Sequence, residues 1–160
     1  MATKLQLPVQ DIKDLAITSL LVASHIAMGG ETTSSIIELA ADLAARFAVE
    51  SGIIEDTKDP KRLVESVVRA LTQSKIKTMD AIDLSYNGKE LLVKVQNCVF
   101  KGLCNCVMMR WDVYEQMFGK RPCPVASFLK YLFEHQLDKK MDIASVECKD
   151  GTGTLRLVEI

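Results

Sequence analysis

Five cysteines are the residues of this 160-residue chain best suited to chemistry, and all of them lie between residues 98 and 148. A thiolate can act as a nucleophile, a metal ligand or a redox group. Because five is an odd number, complete pairing in internal disulfides is impossible, and a reducing compartment keeps thiols reduced. We therefore expect thiol chemistry and not a disulfide framework. The five are Cys98, Cys104, Cys106, Cys123 and Cys148.

The spacing of these cysteines allows a metal site without specifying one. Cys104 and Cys106 are the only close pair, and the Cys-x-x-Cys spacing of tetrahedral zinc sites does not occur. On an extended segment the two would point to the same face, and the fold could bring Cys98, Cys123 or Cys148 beside them. Zinc is the first candidate, and an iron–sulfur cluster has weaker support because its usual spacings are also absent. The competing interpretations are small apolar core residues and redox-active thiols.

Cys123 is the most distinctive of the five. It lies between two prolines, directly before a helix predicted over residues 126–137. The positive end of the helix dipole, together with Lys120 and Arg121, is expected to lower the pKa of its thiol. A thiolate at this position would bind a metal or be oxidised.

An enzyme is the least favoured class. His25 and His135 have no serine or cysteine at a spacing that defines a catalytic dyad, so we interpret both as structural histidines. The chain contains no G-x-S-x-G, H-E-x-x-H, P-loop or G-x-G-x-x-G motif. Hydrolase and nucleotide-binding functions therefore have no support.

Methionine and aromatic side chains are concentrated in residues 107–118, and further aromatic side chains lie in the helix that follows. Such side chains can line a pocket for an apolar ligand, and they also fill cores or dimer interfaces. The candidate ligand-binding residues are Met108, Trp111, Tyr114, Phe118, Phe128 and Phe133.

The charge composition argues against nucleic acid and membrane partners. Twenty Lys and Arg face twenty-one Asp and Glu, for a net charge of -1. The most apolar early stretch, residues 15–28, is shorter than the ~20 residues of a bilayer span and lacks the basic flank of a secretory signal. We therefore expect a cytoplasmic protein without nucleic acid or membrane contacts.

The elements that must position these residues begin with three helices. Apolar residues recur at helical spacing over 8–28, ending at Gly29-Gly30, and again over Thr32–Ser51. In the second helix Ile36, Leu39, Leu43 and Phe47 share one stripe, Ser35 and Glu38 fit a capping box, and Gly52 supplies the stop. Its many alanines would let a neighbouring helix approach closely. Asp59-Pro60 then starts a third amphipathic helix.

Strands dominate after residue 78. Residues 79–85 and 89–97 alternate apolar and polar side chains around Asn87-Gly88, which favours a hairpin. Residues 98–109 are ambiguous, 112–118 and 126–137 favour helices, and 143–149 and 154–160 favour a second hairpin. We predict one α+β domain over residues 1–160, with a helical half over 1–78 and the hairpins, cysteine-rich segment and later helix over 79–160. The N-terminal helices should pack on an antiparallel sheet of about four to five strands.

Residues 123–160 resemble the vinyl-4-reductase-type domain, a family of small-molecule or hydrocarbon-binding domains. The resemblance rests on Cys123-Pro124, the short amphipathic helix after it, a strand ending in Val146-Glu147-Cys148, and a closing strand after a glycine turn. It implies a homodimer with an enclosed apolar pocket, and often a zinc ion held by cysteines and a glutamate. Cys123 and Cys148 match the family's cysteines, whereas Ser145 stands where the family has its glutamate.

These observations together predict a non-enzymatic cytoplasmic binding or sensor domain for an apolar small molecule, with a cysteine-bound zinc as an additional feature. The alternative is a metal- or thiol-based redox or regulatory protein without an organic ligand. A third interpretation is an interaction subunit whose apolar helix face dimerises.

Overall fold

The computed structural model describes residues 30–73, 78–102, 116 and 123–160, with side chains from residue 34 onward. The helix predicted over 8–28, the segment 112–118 apart from Gln116, and most of the ambiguous stretch 98–109 lie outside these ranges. Within them the chain forms three helices and four strands. The predicted α+β fold is confirmed.

Helix α1 spans Gly30–Glu50. It ends where predicted, because Gly52 takes a left-handed conformation at φ 71° and its N–H donates to the carbonyl of Val49 at 2.9 Å. The predicted capping box is wrong. Ser35 lies inside the helix, which already includes Gly30, so Ser35 cannot cap it, and Glu38 instead accepts hydrogen bonds from another helix.

The apolar stripe predicted on α1 is mostly exposed, and only Ile36 of its four residues is half-buried. Leu39, Leu43 and Phe47 are 62%, 57% and 64% exposed. The helix instead buries the side that carries Ile37, Ala41, Ala45 and Ala48. A helix that is apolar on two sides can pack with either one, and the small side permits the closer approach to a neighbour.

Helix α2 spans Pro60–Gln73 and begins at the predicted signal. The carboxylate of Asp59 accepts the N–H of Lys61 at 2.9 Å, as an N-cap does, and Pro60 holds the first helical position. Leu63 and Val67 are fully buried on the inner face.

The loop between α1 and α2 is fixed by two buried polar side chains. The hydroxyl of Ser66 accepts the N–H of Glu55 at 2.8 Å, and the side-chain carbonyl of Gln136 accepts the N–H of Thr57 at 2.9 Å. Ile54 is fully buried beside them. This loop is therefore anchored both to α2 and to the later helix.

The four strands form an antiparallel sheet in the order β1-β2-β4-β3. They are β1 (Ala81–Tyr86), β2 (Glu90–Gln96), β3 (Met141–Lys149) and β4 (Thr152–Glu159). Both predicted hairpins are present, with Leu84 opposite Val93 in the first and Val146 opposite Leu155 in the second. The side chain of Asn87 accepts the N–H groups of Lys89 and Glu90, which fixes the first turn.

The second hairpin depends on a glycine. A Cβ at Gly153 would lie 2.0 Å from the carbonyl oxygen of Glu147 and 2.6 Å from the Cα of Cys148. These distances are far below van der Waals contact. Only glycine allows β4 to approach β3 this closely.

Helix α3 spans Pro124–Leu137 and packs on β3 and β4, while α2 packs on β1 and α1 packs on α3. The buried face of the sheet carries Leu91, Val93, Leu155 and Leu157, and Leu129, Leu132 and Phe133 of α3 lie in the same core. No helix in the described ranges is long and apolar enough to cross a membrane.

Candidate functional site: an apolar pocket between two helices

A pocket of about 480 Å³ lies between α1 and α3. Its walls come from α1, from the first turns of α3, from the end of α2 with the residues before β1, and from the segment after β2. The described lining residues are Ile36, Ile37, Ala40, Ala41, Ala44, Phe47, Ala48, Ile53, Leu71, Thr78, Met79, Phe100, Pro124, Val125 and Phe128.

The small side chains of α1 make room for this pocket. Ala40, Ala44 and Ala48 line it at intervals of one helical turn, and each contributes only a methyl group. Phe100 and Phe128 supply the large walls. The sequence indicates that these alanines allow close packing of helices. Their small side chains also leave the volume that forms the pocket.

The lining is suited to an uncharged, apolar ligand. Among the described residues that line the pocket, Thr78 contributes the one side-chain hydroxyl and none carries a charge. The volume falls within the ~300–1,000 Å³ of small-molecule sites in proteins. Burial of apolar ligand surface is therefore the main interaction that these walls can supply.

The predicted ligand-binding residues separate into three groups. Phe128 lines the pocket. Phe133 is buried in the core, where its ring meets the edge of Tyr86 at a centroid distance of 5.4 Å. Met108, Trp111, Tyr114 and Phe118 lie outside the described residues.

Three of the five cysteines are described, and none of them is in a disulfide bond. Cys98 and Cys123 are buried, Cys148 is half-buried, and Cys104 and Cys106 lie outside the described residues. In the part of the chain that the structure describes, no three His, Cys, Asp or Glu side chains lie close enough to hold a metal ion.

Two of the described cysteines, Cys98 and Cys148, nevertheless lie at one end of the sheet. The N–H of Cys98 donates to the carbonyl of Gly151 at 2.9 Å, and Cys148 pairs with Gly153, so both flank the turn between β3 and β4. Cys123 is the N-cap residue of α3, where its side chain makes no capping hydrogen bond.

A polar network joins α1 to α3 beside the pocket, and sequence reasoning missed it. The Glu38 carboxylate accepts the hydroxyl of Ser127 at 2.6 Å and that of Tyr131 at 2.8 Å. One turn further along α1, Asp42 accepts a hydrogen bond from Nε2 of His135 at 2.6 Å. The two helices therefore run in the same direction.

Two pKa values reflect this network. Burial, followed by the hydrogen bond to Glu38, raises the pKa of Tyr131 well above its ordinary value, so its hydroxyl stays a neutral donor. The hydrogen bond from His135 lowers the pKa of Asp42, Arg46 lowers it further, and burial opposes both. The sequence contains a hint of the network: polar residues recur every four positions at 127, 131 and 135 on a largely apolar helix.

Comparison with models of known protein families and with curated proteins finds no match for this chain.

Proposed function

We propose that this protein is a non-enzymatic binding or sensor protein for an apolar small molecule, which it holds in the pocket between α1 and α3. The observation that carries the proposal is the lining, in which fourteen of the fifteen described residues are apolar. A ligand that buries roughly 200 Å² of apolar surface gains about 5 kcal/mol at ~25 cal/mol per Å², before the costs of binding.

The resemblance of residues 123–160 to the vinyl-4-reductase-type domain supports the same function, since that family binds hydrocarbons and other small molecules. Pro124 and Val125, in the segment that carries the resemblance, line the pocket. The cytoplasmic location belongs to this proposal and rests on the sequence alone.

Native mass spectrometry of the purified protein and extraction into organic solvent test the proposal first, because a co-purified hydrophobe should appear as a discrete mass increment. Titration with Nile red then measures binding to the pocket. Ala44→Phe, which adds a ring at the lining, should weaken Nile red binding by about tenfold, the equivalent of roughly 55 Å² of lost apolar contact.

Leu43→Phe is the matched control, because Leu43 lies on the same helix, is 57% exposed and does not line the pocket. It should leave Nile red binding unchanged. Equal effects of the two substitutions, or a wild-type protein that neither carries nor binds a hydrophobe, would count against the proposal.

A metal or thiol site is the second candidate, and the observation that favours it is that Cys98 and Cys148 both flank the turn between β3 and β4. We propose zinc as the first choice, with Cys104 and Cys106 as further ligands. Elemental analysis of protein purified without added metal should find zinc that is lost in Cys123→Ser. Metal-free protein with unreactive thiols would refute this candidate.

The resemblance also implies a homodimer, which we include in the proposal. The exposed apolar residues Leu39 and Leu43, which do not line the pocket, offer a surface for it. Sedimentation velocity at micromolar concentration should show a dimer, and a monomer under those conditions would contradict this part.

A further inference from the structure

The pocket between α1 and α3 is open to solvent along one side of α1. Ala40 and Ala44 line the pocket and are exposed, and Phe47, which also lines it, is 64% exposed. These three residues form the mouth of the pocket. An exposed apolar strip of this kind is typical of an interaction surface, and its two alanines would let a second helix approach α1 closely.

The segment that directly precedes α1 has the composition to cover this mouth. Residues 8–28 carry apolar side chains at helical spacing, and residues 15–28 contain no Asp, Glu, Lys or Arg. A helix with so few charged side chains is expected to be buried against other parts of the protein. Residues 8–28 therefore require an apolar surface.

The length and the connection of this segment fit the mouth. Residues 8–28 number twenty-one, as does α1, so a helix over them would match α1 in length, at roughly 31 Å for ~1.5 Å per residue. The predicted helix ends at Gly29-Gly30, and glycine permits the sharp reversal that would lay it back along α1.

Covalent attachment favours this segment over a second copy of the chain. A tethered segment meets its surface at an effective concentration of about 1 mM, whereas separate chains meet at the micromolar concentrations of a typical solution experiment. Leu39 and Leu43 lie outside the mouth, so the surface proposed for the dimer stays available.

We propose that residues 8–28 dock antiparallel to α1 over Ala40, Ala44 and Phe47 and form the outer wall of the pocket. The docking itself requires no ligand, whereas the role as a wall of a binding site rests on the proposed function. Phe47 is seventeen residues beyond Gly30, so in this arrangement it should lie opposite about residue 12.

Photo-crosslinking of the full chain tests the docking. The photoreactive residue p-benzoylphenylalanine in place of Phe47 keeps an aromatic ring at the mouth and bonds covalently only to groups in contact with it. Irradiation of ligand-free protein should join position 47 to residues near Ile12 of the same chain, as identified by peptide mass spectrometry. The same substitution at Leu39 is the matched control, because Leu39 is 62% exposed on the same helix and does not line the pocket. It should give several-fold less of this intrachain product.

A second pair of variants tests the segment itself. Ala16→Asp adds a charge within the uncharged stretch, whereas Gln10→Asp adds the same charge outside it. Because burial of an unpaired carboxylate is unfavourable, Ala16→Asp should lower the intrachain yield from position 47 by about tenfold. Gln10→Asp should leave that yield unchanged.

A cross-link from position 47 to a second chain or to another part of the same chain would overturn the docking. The absence of any cross-link, or equal intrachain yields from positions 47 and 39, would overturn it as well. Cross-linking uses ligand-free protein, so its failure is distinguishable from a failure to bind Nile red, which would overturn the proposed function alone.

Discussion

Two phenylalanines on α3 provide a matched test of where the ligand lies. The same substitution to leucine should weaken ligand binding at Phe128 and lower the free energy of unfolding at Phe133. Phe128 lines the pocket and is half-buried, whereas Phe133 is 1% exposed and packs edge-on against Tyr86. Phe128→Leu removes roughly 40 Å² of apolar wall, which at ~25 cal/mol per Å² is about 1 kcal/mol of binding free energy. The dissociation constant for Nile red should therefore rise about fivefold.

Phe133→Leu should instead lower the free energy of unfolding. Loss of the aromatic pair should lower the free energy of unfolding by about 0.5–1.5 kcal/mol. Repacking of the core around leucine should lower it further, by at most about 1.5 kcal/mol. Urea unfolding followed by circular dichroism measures this change, and fluorescence titration measures Nile red affinity, which should stay at the wild-type value. A larger loss of affinity in Phe133→Leu than in Phe128→Leu would refute the assignment of the pocket.

Three further substitutions have defined outcomes. Gly153→Ala should lower the free energy of unfolding by more than about 3 kcal/mol, measured by urea denaturation, because its Cβ meets the backbone of β3. Gln136→Leu should cost about 1–3 kcal/mol in the same assay and speed exchange of the Thr57 amide, which loses its buried acceptor. Asp42→Asn should destabilise the protein at neutral pH. The hydrogen bond from His135 lowers the pKa of Asp42 below its usual value of 3.8. The ionised carboxylate of Asp42 therefore stabilises the folded state fully at pH values above 3.8. That contribution disappears as the pH falls through the lowered pKa, so the unfolding free energies of variant and wild type should converge in acid.

The elements that the sequence predicted correctly are those with a local physical cause. Asp59-Pro60 starts α2 because an N-cap carboxylate and a proline at the first position both act within one turn. Asn87-Gly88 marks a hairpin for a similar reason, since the Asn87 side chain accepts the N–H groups of Lys89 and Glu90. In neither case is information from distant residues required.

The buried face of α1 could not be read from the sequence, because both of its sides are apolar. Periodicity identifies a stripe through Leu39 and Leu43, yet it cannot say which stripe finds a partner. The choice depends on how closely α3 approaches, and Ala41 and Ala45 allow the closer contact. The predicted capping box was wrong for a related reason, since Glu38 finds its partners on α3.

The polar network was beyond sequence reasoning because its partners are far apart in the chain. Glu38 and Ser127 are separated by 89 residues, and Asp42 and His135 by 93. His135 was interpreted as a structural histidine, and its partner Asp42 carries no motif that would mark it. The sequence predicted pocket-lining residues in 107–118 and in the helix after them, but it did not predict that α1 supplies much of the described wall.

The alanines of α1 connect the pocket with the close contact between α1 and α3. Leucine has nearly the helix propensity of alanine, so helix formation alone does not require small residues at Ala40, Ala44 and Ala48. Larger side chains at the exposed Ala40 and Ala44 would fill the pocket, whereas the hydroxyls of Ser127 and Tyr131 join α3 to Glu38 of α1 beside it. A larger apolar side chain at Ala44 should therefore lower ligand affinity, whereas Tyr131→Phe should mainly lower the free energy of unfolding in urea. That difference separates the volume of the pocket from the bonds that join the two helices.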